Sequence, residues 1–181
     1  MNQINIQLHK TEIGEVVLGS FRGKLCWLGF RGREMRITVD DGTKKVLNAE
    51  SVEQDDEVLE KTRRQLDEYL RGLRRTFDIP LLMVGTGFQK RVWRALMSIP
   101  CGATSTYGQI AEDIGNPRAV RAVGGACGAN PISIIIPCHR VIGSNGELVG
   151  YGGGLSLKRR LLGLERSNAR ACGSHVEIPK R

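Results

Sequence analysis

The sequence TYGQIAEDIGNPRAVRAVGGACG, residues 106–128, holds two short segments with apolar residues at helical spacing, separated by glycine, asparagine and proline. This pattern predicts a helix over 106–114, a stop at 115–117 and a second helix from Arg118 to about Gly128. Two short helices joined by a tight turn are typical of a helix-turn-helix, a pair that many DNA-binding proteins use. An ordinary helical hairpin has the same pattern, so both interpretations stay open.

The second of these helices has an unfavourable composition. Gly124, Gly125 and Gly128 each cost about 1 kcal/mol relative to alanine inside a helix. Arg118 and Arg121 share a face with Gly125 and Gly128. A face of arginines and bare backbone can approach a grooved surface closely, and its N–H groups can reach phosphates. Close helix–helix packing also explains the glycines, but the arginines favour DNA.

The rest of the chain predicts an α/β (α+β) fold with two domains. Residues 1–80 begin with alternating apolar and polar residues punctuated by glycine, and continue into an amphipathic segment over 55–71. They are interpreted as a small N-terminal β-sheet plus helix domain. A connecting segment rich in glycine and proline follows, and the boundary is placed near it.

Residues 86–166 predict a mostly helical, winged-helix-like C-terminal domain that contains the helix-turn-helix. Its first helix runs over 88–99 with Thr86 as the N-cap, and Ser156 can cap a last helix. Periodicity ends after Arg166, which predicts a flexible tail over 167–181.

Charge is distributed unevenly along the 181 residues, whose net charge is +8. Residues 1–86 hold 14 basic and 14 acidic side chains, whereas residues 87–166 hold 10 basic and 4 acidic ones. A basic half suggests a polyanionic partner such as nucleic acid, although plain solubility explains the same excess. No run is long and apolar enough for a membrane span. The start lacks a signal peptide and the 5 cysteines lack CxxC spacing, which favours a reduced, cytoplasmic protein.

The stretch IIIPCHRVIG, residues 134–143, places Cys138 next to His139. A thiol of ordinary pKa is ionised only to a few per cent at neutral pH, and a neighbouring base raises that fraction. Neighbours in a strand point to opposite faces, so the pair requires a bend, which Pro137 and Gly143 make plausible. Glu165 is a candidate to orient the histidine, although for this residue taken alone a solvated surface carboxylate is the favoured interpretation.

The segments RAVGGACGANP, PCHRV and GYGGGLSLKRRLLGLE together closely resemble the O6-alkylguanine-DNA alkyltransferases, also called methylated-DNA–protein-cysteine methyltransferases. The resemblance runs without an obvious gap from Phe88 to Glu165, and the first 80 residues match only in outline. It implies a protein that flips an alkylated guanine out of duplex DNA and transfers the alkyl group irreversibly to Cys138, so that each molecule acts once.

The resemblance also implies roles for individual residues. Cys138 is the nucleophile, His139 takes its proton through a water, Glu165 orients His139, Asn130 braces the loop, and Tyr107 acts on the flipped nucleotide. Tyr151 and the glycines after it, Gly152 and Gly153, are implied to line the base pocket, and carbonyls near Cys138 and Val141 are implied to bind the exocyclic amine of the base. The residues implied to bind DNA are Arg121, Arg118, Thr106, Ala122, Gly124 and Gly125, with Arg121 filling the gap left by the base.

The expected partner is double-stranded DNA, bound in the minor groove without sequence specificity, by a monomer that needs no cofactor and no protein partner. Gly152 stands where some relatives have a serine, which predicts tolerance of alkyl groups larger than methyl. Some relatives hold zinc in the N-terminal domain. Here His9 and Cys26 are too few for a four-ligand site, which predicts no metal.

Three other functions are each compatible with part of the sequence. A cysteine hydrolase could use Cys138 and His139, but it leaves the helix-turn-helix unexplained and lacks an obvious oxyanion hole. A damage-sensing relative would lack the acceptor thiol, which is present here. A non-catalytic DNA-binding regulator is the strongest alternative, because the DNA-binding pattern does not depend on the cysteine.

Overall fold

The computed structural model describes residues 2–31 and 39–171. The N-terminal part forms a four-stranded sheet in the order β3-β2-β1-β4, antiparallel except for the parallel pair β1–β4. Its elements are β1 (Asn2–Thr11), β2 (Gly14–Phe21), β3 (Lys24–Phe30), α1 (Asp41–Leu47), β4 (Ala49–Glu53) and α2 (Glu57–Leu70).

Local chemistry explains these elements. Gly14 and Gly23 have φ of 118° and 73°, a left-handed backbone that glycine adopts without strain. Gly14 begins β2 directly after the β1–β2 turn, and Gly23 stands in the turn between β2 and β3. Asp56 caps α2 by accepting a hydrogen bond from the Leu59 N–H. The inner face of α2, which includes Leu66 and Tyr69, is buried against the sheet and the C-terminal part.

The C-terminal part is mostly helical. Its elements are α3 (Gly87–Met97), β5 (Ser105–Thr106), α4 (Tyr107–Asp113), α5 (Val120–Gly128), a 3-10 turn (Cys138–Arg140), β6 (Val141–Ile142) and α6 (Leu155–Ala171). The helices α4 and α5 pack against each other as the predicted helix-turn-helix, and β5 and β6 form a small parallel pair. Thr86 caps α3 in a capping box with Gln89, as predicted.

The structure departs from the sequence-based expectation at several places. Neither α1 nor β4 was predicted. Ser156 does not cap the last helix, because α6 already begins at Leu155. That helix continues to Ala171, so the first five residues of the predicted flexible tail are helical. Residues 172–181, the rest of that tail, lie outside the described residues.

One hydrophobic core joins the two parts of the chain. Leu25 and Leu28 of β3 are fully buried, and their N–H groups donate to the carbonyls of Pro80 and Pro131 at 2.8 and 2.9 Å. The same core cluster contains Trp93 of α3. The loop that precedes the 3-10 turn is therefore held directly by the N-terminal sheet. Among the described residues, no helix is long and apolar enough to cross a membrane.

Candidate active site

The 3-10 turn Cys138–Arg140 supplies the bend that the Cys-His sequence requires, and it buries all three side chains. Asn130 lies beside it. Its Nδ2 group donates to the Ile136 carbonyl at 2.8 Å and to Cys138 Sγ at 3.2 Å. Asn130 therefore fixes the loop and places a hydrogen-bond donor on the sulfur.

Glu165 is fully buried, so the surface interpretation of this residue is wrong. His139 is also fully buried, and its Nε2 lies 2.9 Å from Glu165 Oε1. Arg140 donates to the same carboxylate from Nε at 3.0 Å and from Nη2 at 2.8 Å. The N–H of Gly102 adds a bond at 2.9 Å and the hydroxyl of Tyr69 one at 2.7 Å. Residues far apart in sequence thus converge on one carboxylate.

These contacts fix the protonation of the histidine. Burial raises the pKa of Glu165, but hydrogen bonds from His139 and Arg140 outweigh it and hold the pKa well below the ordinary value. An ionised carboxylate only accepts, so Nε2 of His139 carries the proton. Burial lowers the pKa of His139 despite Glu165, so the ring is neutral. Its Nδ1 is buried without a hydrogen-bond partner among the described residues and keeps a free lone pair.

The resting state of Cys138 differs from the sequence-based expectation of a raised thiolate fraction. Burial raises the pKa of this thiol, and the Asn130 hydrogen bond and the Lys158 charge only partly oppose it. The adjacent base therefore does not ionise the sulfur at rest. Cys138 is a protonated thiol until a neighbouring group removes its proton.

A small pocket of about 150 Å³ opens in front of Cys138, between α5 and the loop over 150–152. It is smaller than the cavities that hold drug-sized ligands, which suits a single planar ring system. Four larger cavities, of about 590, 420, 270 and 210 Å³, do not contain Cys138. The residues that line the small pocket are Tyr107, Gly124, Cys127, Gly128, Cys138, Gly150, Tyr151 and Gly152.

Two predicted base-binding residues lie outside this lining. A Cβ on Gly153 would meet Leu157 at 2.6 Å and Phe30 at 3.1 Å, so this glycine permits close packing of the loop on its neighbours. Val141 is fully buried and pairs with Ser105 in the β5–β6 ladder. The structure therefore brings Tyr151 and Gly152 to the pocket and leaves Gly153 outside its lining. The role implied for a carbonyl near Val141 stays a prediction.

Comparison with known proteins places this arrangement in a family. The model of the 6-O-methylguanine DNA methyltransferase DNA binding domain matches residues 87–167, and that of the family's ribonuclease-like domain matches residues 8–83. The chain is 52% identical over 160 residues to the methylated-DNA–protein-cysteine methyltransferase of Methanosarcina acetivorans, with 88% of this chain and 97% of that protein covered. The chain belongs to the methylated-DNA–protein-cysteine methyltransferase family.

Other relatives of this methyltransferase agree. The inducible methylated-DNA–protein-cysteine methyltransferase of Bacillus subtilis is 48% identical over 126 residues, 70% of this chain and 68% of that protein. The crystal structure of the Mycobacterium tuberculosis O6-methylguanine methyltransferase has a TM-score of 0.77 at 39% identity, over 91% of this chain and 94% of that chain. A structure of the M. tuberculosis protein in complex with DNA has a TM-score of 0.77 at 40% identity, over 92% and 94% of the two chains.

The predicted DNA-binding residues of the methyltransferase fall into two groups. Gly124 lines the pocket, and Thr106 caps α4 by accepting from the Gln109 N–H, so the Thr106 hydroxyl serves the helix start. The remaining four are exposed on α5 or just before it. They are Arg118, Arg121, Ala122 and Gly125.

Three buried groups of this methyltransferase site were missed from sequence. Arg140 and Tyr69 bind Glu165, as described above. Lys158 of α6 is fully buried, and its ammonium group donates to the carbonyls of Val149 at 2.7 Å and Gly150 at 3.2 Å, beside the pocket. Arg140 follows His139 in the PCHR motif, which was a usable signal. For Tyr69 and Lys158, the sequence contains no signal of a role in the site beyond their helical spacing.

The side chains that could bind a metal ion are dispersed in the described part of the methyltransferase. Within residues 2–31 and 39–171, no three His, Cys, Asp or Glu side chains are grouped so that they could hold a metal ion. His9, one of the two residues considered for zinc, instead lies 2.8 Å from Asp67. The absence of a metal stays a prediction.

Proposed function

We propose that this alkyltransferase repairs O6-alkylguanine in duplex DNA by flipping the base into the pocket beside α5 and transferring its alkyl group to Cys138. The observation that carries the proposal is Cys138 Sγ on the wall of that pocket, held by Asn130 and followed by a buried, neutral histidine. A base stacked in a duplex is inaccessible to such a sulfur, so it must be extruded. The thioether product is stable, so each molecule acts once.

The proton of Cys138 needs an acceptor. In this proposal His139 Nδ1 accepts it through a bridging water, while Nε2 remains bonded to Glu165. The imidazolium that forms is stabilised by the buried carboxylate, in the manner of a catalytic triad. The Lys158 charge lowers the cost of the thiolate formed at the same moment. The sulfur then attacks the alkyl carbon and the guanine oxygen leaves.

The exposed face of α5 is the proposed DNA-binding surface, with Arg121 taking the place of the extruded base. The small residues of this helix suit a narrow groove, which supports docking in the minor groove. Repair should not depend on sequence, so contacts to phosphates and to DNA shape should dominate. A cytoplasmic monomer without cofactor or protein partner belongs to the same proposal.

Mass spectrometry after mixing the protein with an O6-methylguanine duplex tests this function. We expect one added methyl group per molecule, on the peptide that contains Cys138. Cys127 lines the same pocket, so Cys127→Ser is the matched control and should still be methylated at Cys138. Cys138→Ser should bind DNA but gain no methyl group.

The same experiment separates the alternatives. A hydrolase would turn over repeatedly, whereas this protein should stop after one equivalent. A non-catalytic regulator would bind the duplex and leave the methyl group on the base. Methyl transfer to any cysteine other than Cys138 would refute the proposed chemistry.

A further inference from the structure

Tyr69 connects the N-terminal part of the chain to the candidate active site. It lies on α2, is 1% exposed, and packs its ring against Phe77 with centroids 5.3 Å apart. Its hydroxyl donates to Glu165 Oε1 at 2.7 Å and lies 3.5 Å from His139 Nε2. None of the proposed steps uses this tyrosine.

The acceptor oxygen is shared. Glu165 Oε1 receives hydrogen bonds from Tyr69 at 2.7 Å, from Arg140 Nη2 at 2.8 Å and from His139 at 2.9 Å. Each donor withdraws part of the same negative charge, so Tyr69 weakens the pull of Glu165 on the His139 proton. The other oxygen, Oε2, is held without Tyr69, by Arg140 Nε at 3.0 Å and by the Gly102 N–H at 2.9 Å. Glu165 therefore stays in place when the Tyr69 hydroxyl is removed.

Several groups face His139 and set its charge state. Burial lowers its pKa, Glu165 of α6 raises it, and the cations Arg140 of its own turn and Lys158 of α6 lower it. Tyr151 contributes a ring edge, with centroids 6.4 Å apart. Burial, together with Glu165, raises the pKa of the Tyr69 phenol, so its hydroxyl stays a neutral donor at every working pH. Removing that donor leaves Glu165 as a stronger partner for an imidazolium.

We propose that Tyr69 is a positioning residue of the alkyl-transfer reaction, which acts through Glu165 to keep His139 neutral and free to accept the Cys138 proton. The inference rests on the proposed role of His139 as the base. It also gives the N-terminal part of the chain a function in the chemistry, because α2 supplies the hydroxyl.

Tyr69→Phe tests this role, since it removes the hydroxyl and keeps the ring against Phe77. The chain has 3 histidines, so NMR titration of labelled histidine can follow His139 directly. We expect the pKa of His139 to rise by about 0.5 to 1 pH unit. The acid limb of the single-turnover methyl-transfer rate should move to higher pH by the same amount. The plateau rate should change by less than about two-fold, and DNA affinity should not change.

Phe77→Leu is the matched control, because it disturbs the same aromatic packing without touching Glu165. It should lower stability and leave the acid limb in place. An equal loss of rate at every pH in Tyr69→Phe, or an unmoved His139 titration, would overturn the inference. A ring-fluorinated tyrosine at position 69, a stronger donor, should shift the titration the opposite way and serves if the phenylalanine variant does not fold. Because the titration needs no DNA, it reports on Tyr69 even if the protein transfers no methyl group.

Discussion

Replacing Gly125 with alanine separates the stability of α5 from its proposed contact with DNA. Gly125 lies inside α5 and is exposed, and an added Cβ would meet no atom within 4 Å. Alanine should therefore stabilise the helix by about 0.5 to 1 kcal/mol, because glycine loses more backbone freedom on folding. In a chain of this size, 1 kcal/mol raises Tm by about 2 to 4 °C. The same methyl group would stand where the backbone is proposed to approach the duplex.

Gly163 provides the matched control for this substitution. It lies inside α6, is exposed, and an added Cβ would also meet nothing within 4 Å. Thermal unfolding should show similar gains for Gly125→Ala and Gly163→Ala. Fluorescence anisotropy on a short duplex at fixed salt should show DNA affinity falling about ten-fold for Gly125→Ala alone, which corresponds to about 1.4 kcal/mol. Equal DNA affinity in the two variants would refute the argument that bare backbone on α5 meets DNA.

Three further outcomes are expected. A Cβ on Gly152 would meet nothing within 4 Å, so the side chain of Gly152→Ser should fit in the pocket. In a competition assay this variant should transfer benzyl groups several-fold less efficiently, relative to methyl groups, than the wild type does. An unchanged ratio of benzyl to methyl transfer would contradict this prediction. Glu165→Gln should destabilise the protein by about 3 kcal/mol in urea, since it leaves the Arg140 charge buried without an anion; wild-type stability would contradict this. The folded state lowers the pKa of His139, so the free energy of unfolding should fall as pH drops below 6.5, the ordinary pKa of histidine. It should fall further below pH 4.5, the ordinary pKa of glutamate, because the folded state also lowers the pKa of Glu165. A urea midpoint that does not change across this pH range would contradict both assignments.

The helix-turn-helix was predictable because its signals are local. Thr106 and Gln109 form a capping box at the start of α4, and Gly115, with φ of 71°, ends it. Such signals depend on residues a few positions apart. By contrast, α1 is a seven-residue helix with a single buried side chain, Thr43, so it leaves no apolar periodicity to detect.

The candidate site was predictable in part. The adjacent Cys138 and His139 and the resemblance identified the centre of the site, and the 3-10 turn confirms the bend. The hydroxyl of Tyr69 reaches Glu165 across 96 positions of sequence. On an amphipathic helix a tyrosine of this kind has the same pattern as any core residue, so only tertiary structure reveals its donor role. The protonated state of Cys138 was missed for a similar reason. The adjacent histidine is visible in the sequence, whereas the burial that raises the pKa of the thiol is not.

The buried, protonated state of Cys138 has a consequence for a protein that is consumed when it reacts. Thiolates, not thiols, react with oxidants and free alkylating agents, so an ionised and exposed sulfur would be lost to solution chemistry. Cys138 is only 7% exposed, and burial raises its pKa. At rest its sulfur is therefore neither ionised nor accessible enough to be lost in this way. In the proposed mechanism, proton transfer to His139 would be coupled to occupation of the pocket, where the alkyl carbon would come close enough for the sulfur to attack. The raised pKa of Cys138 opposes the reaction with solutes, and on the proposal above the neutral His139 would make the thiolate accessible only when the flipped base occupies the pocket.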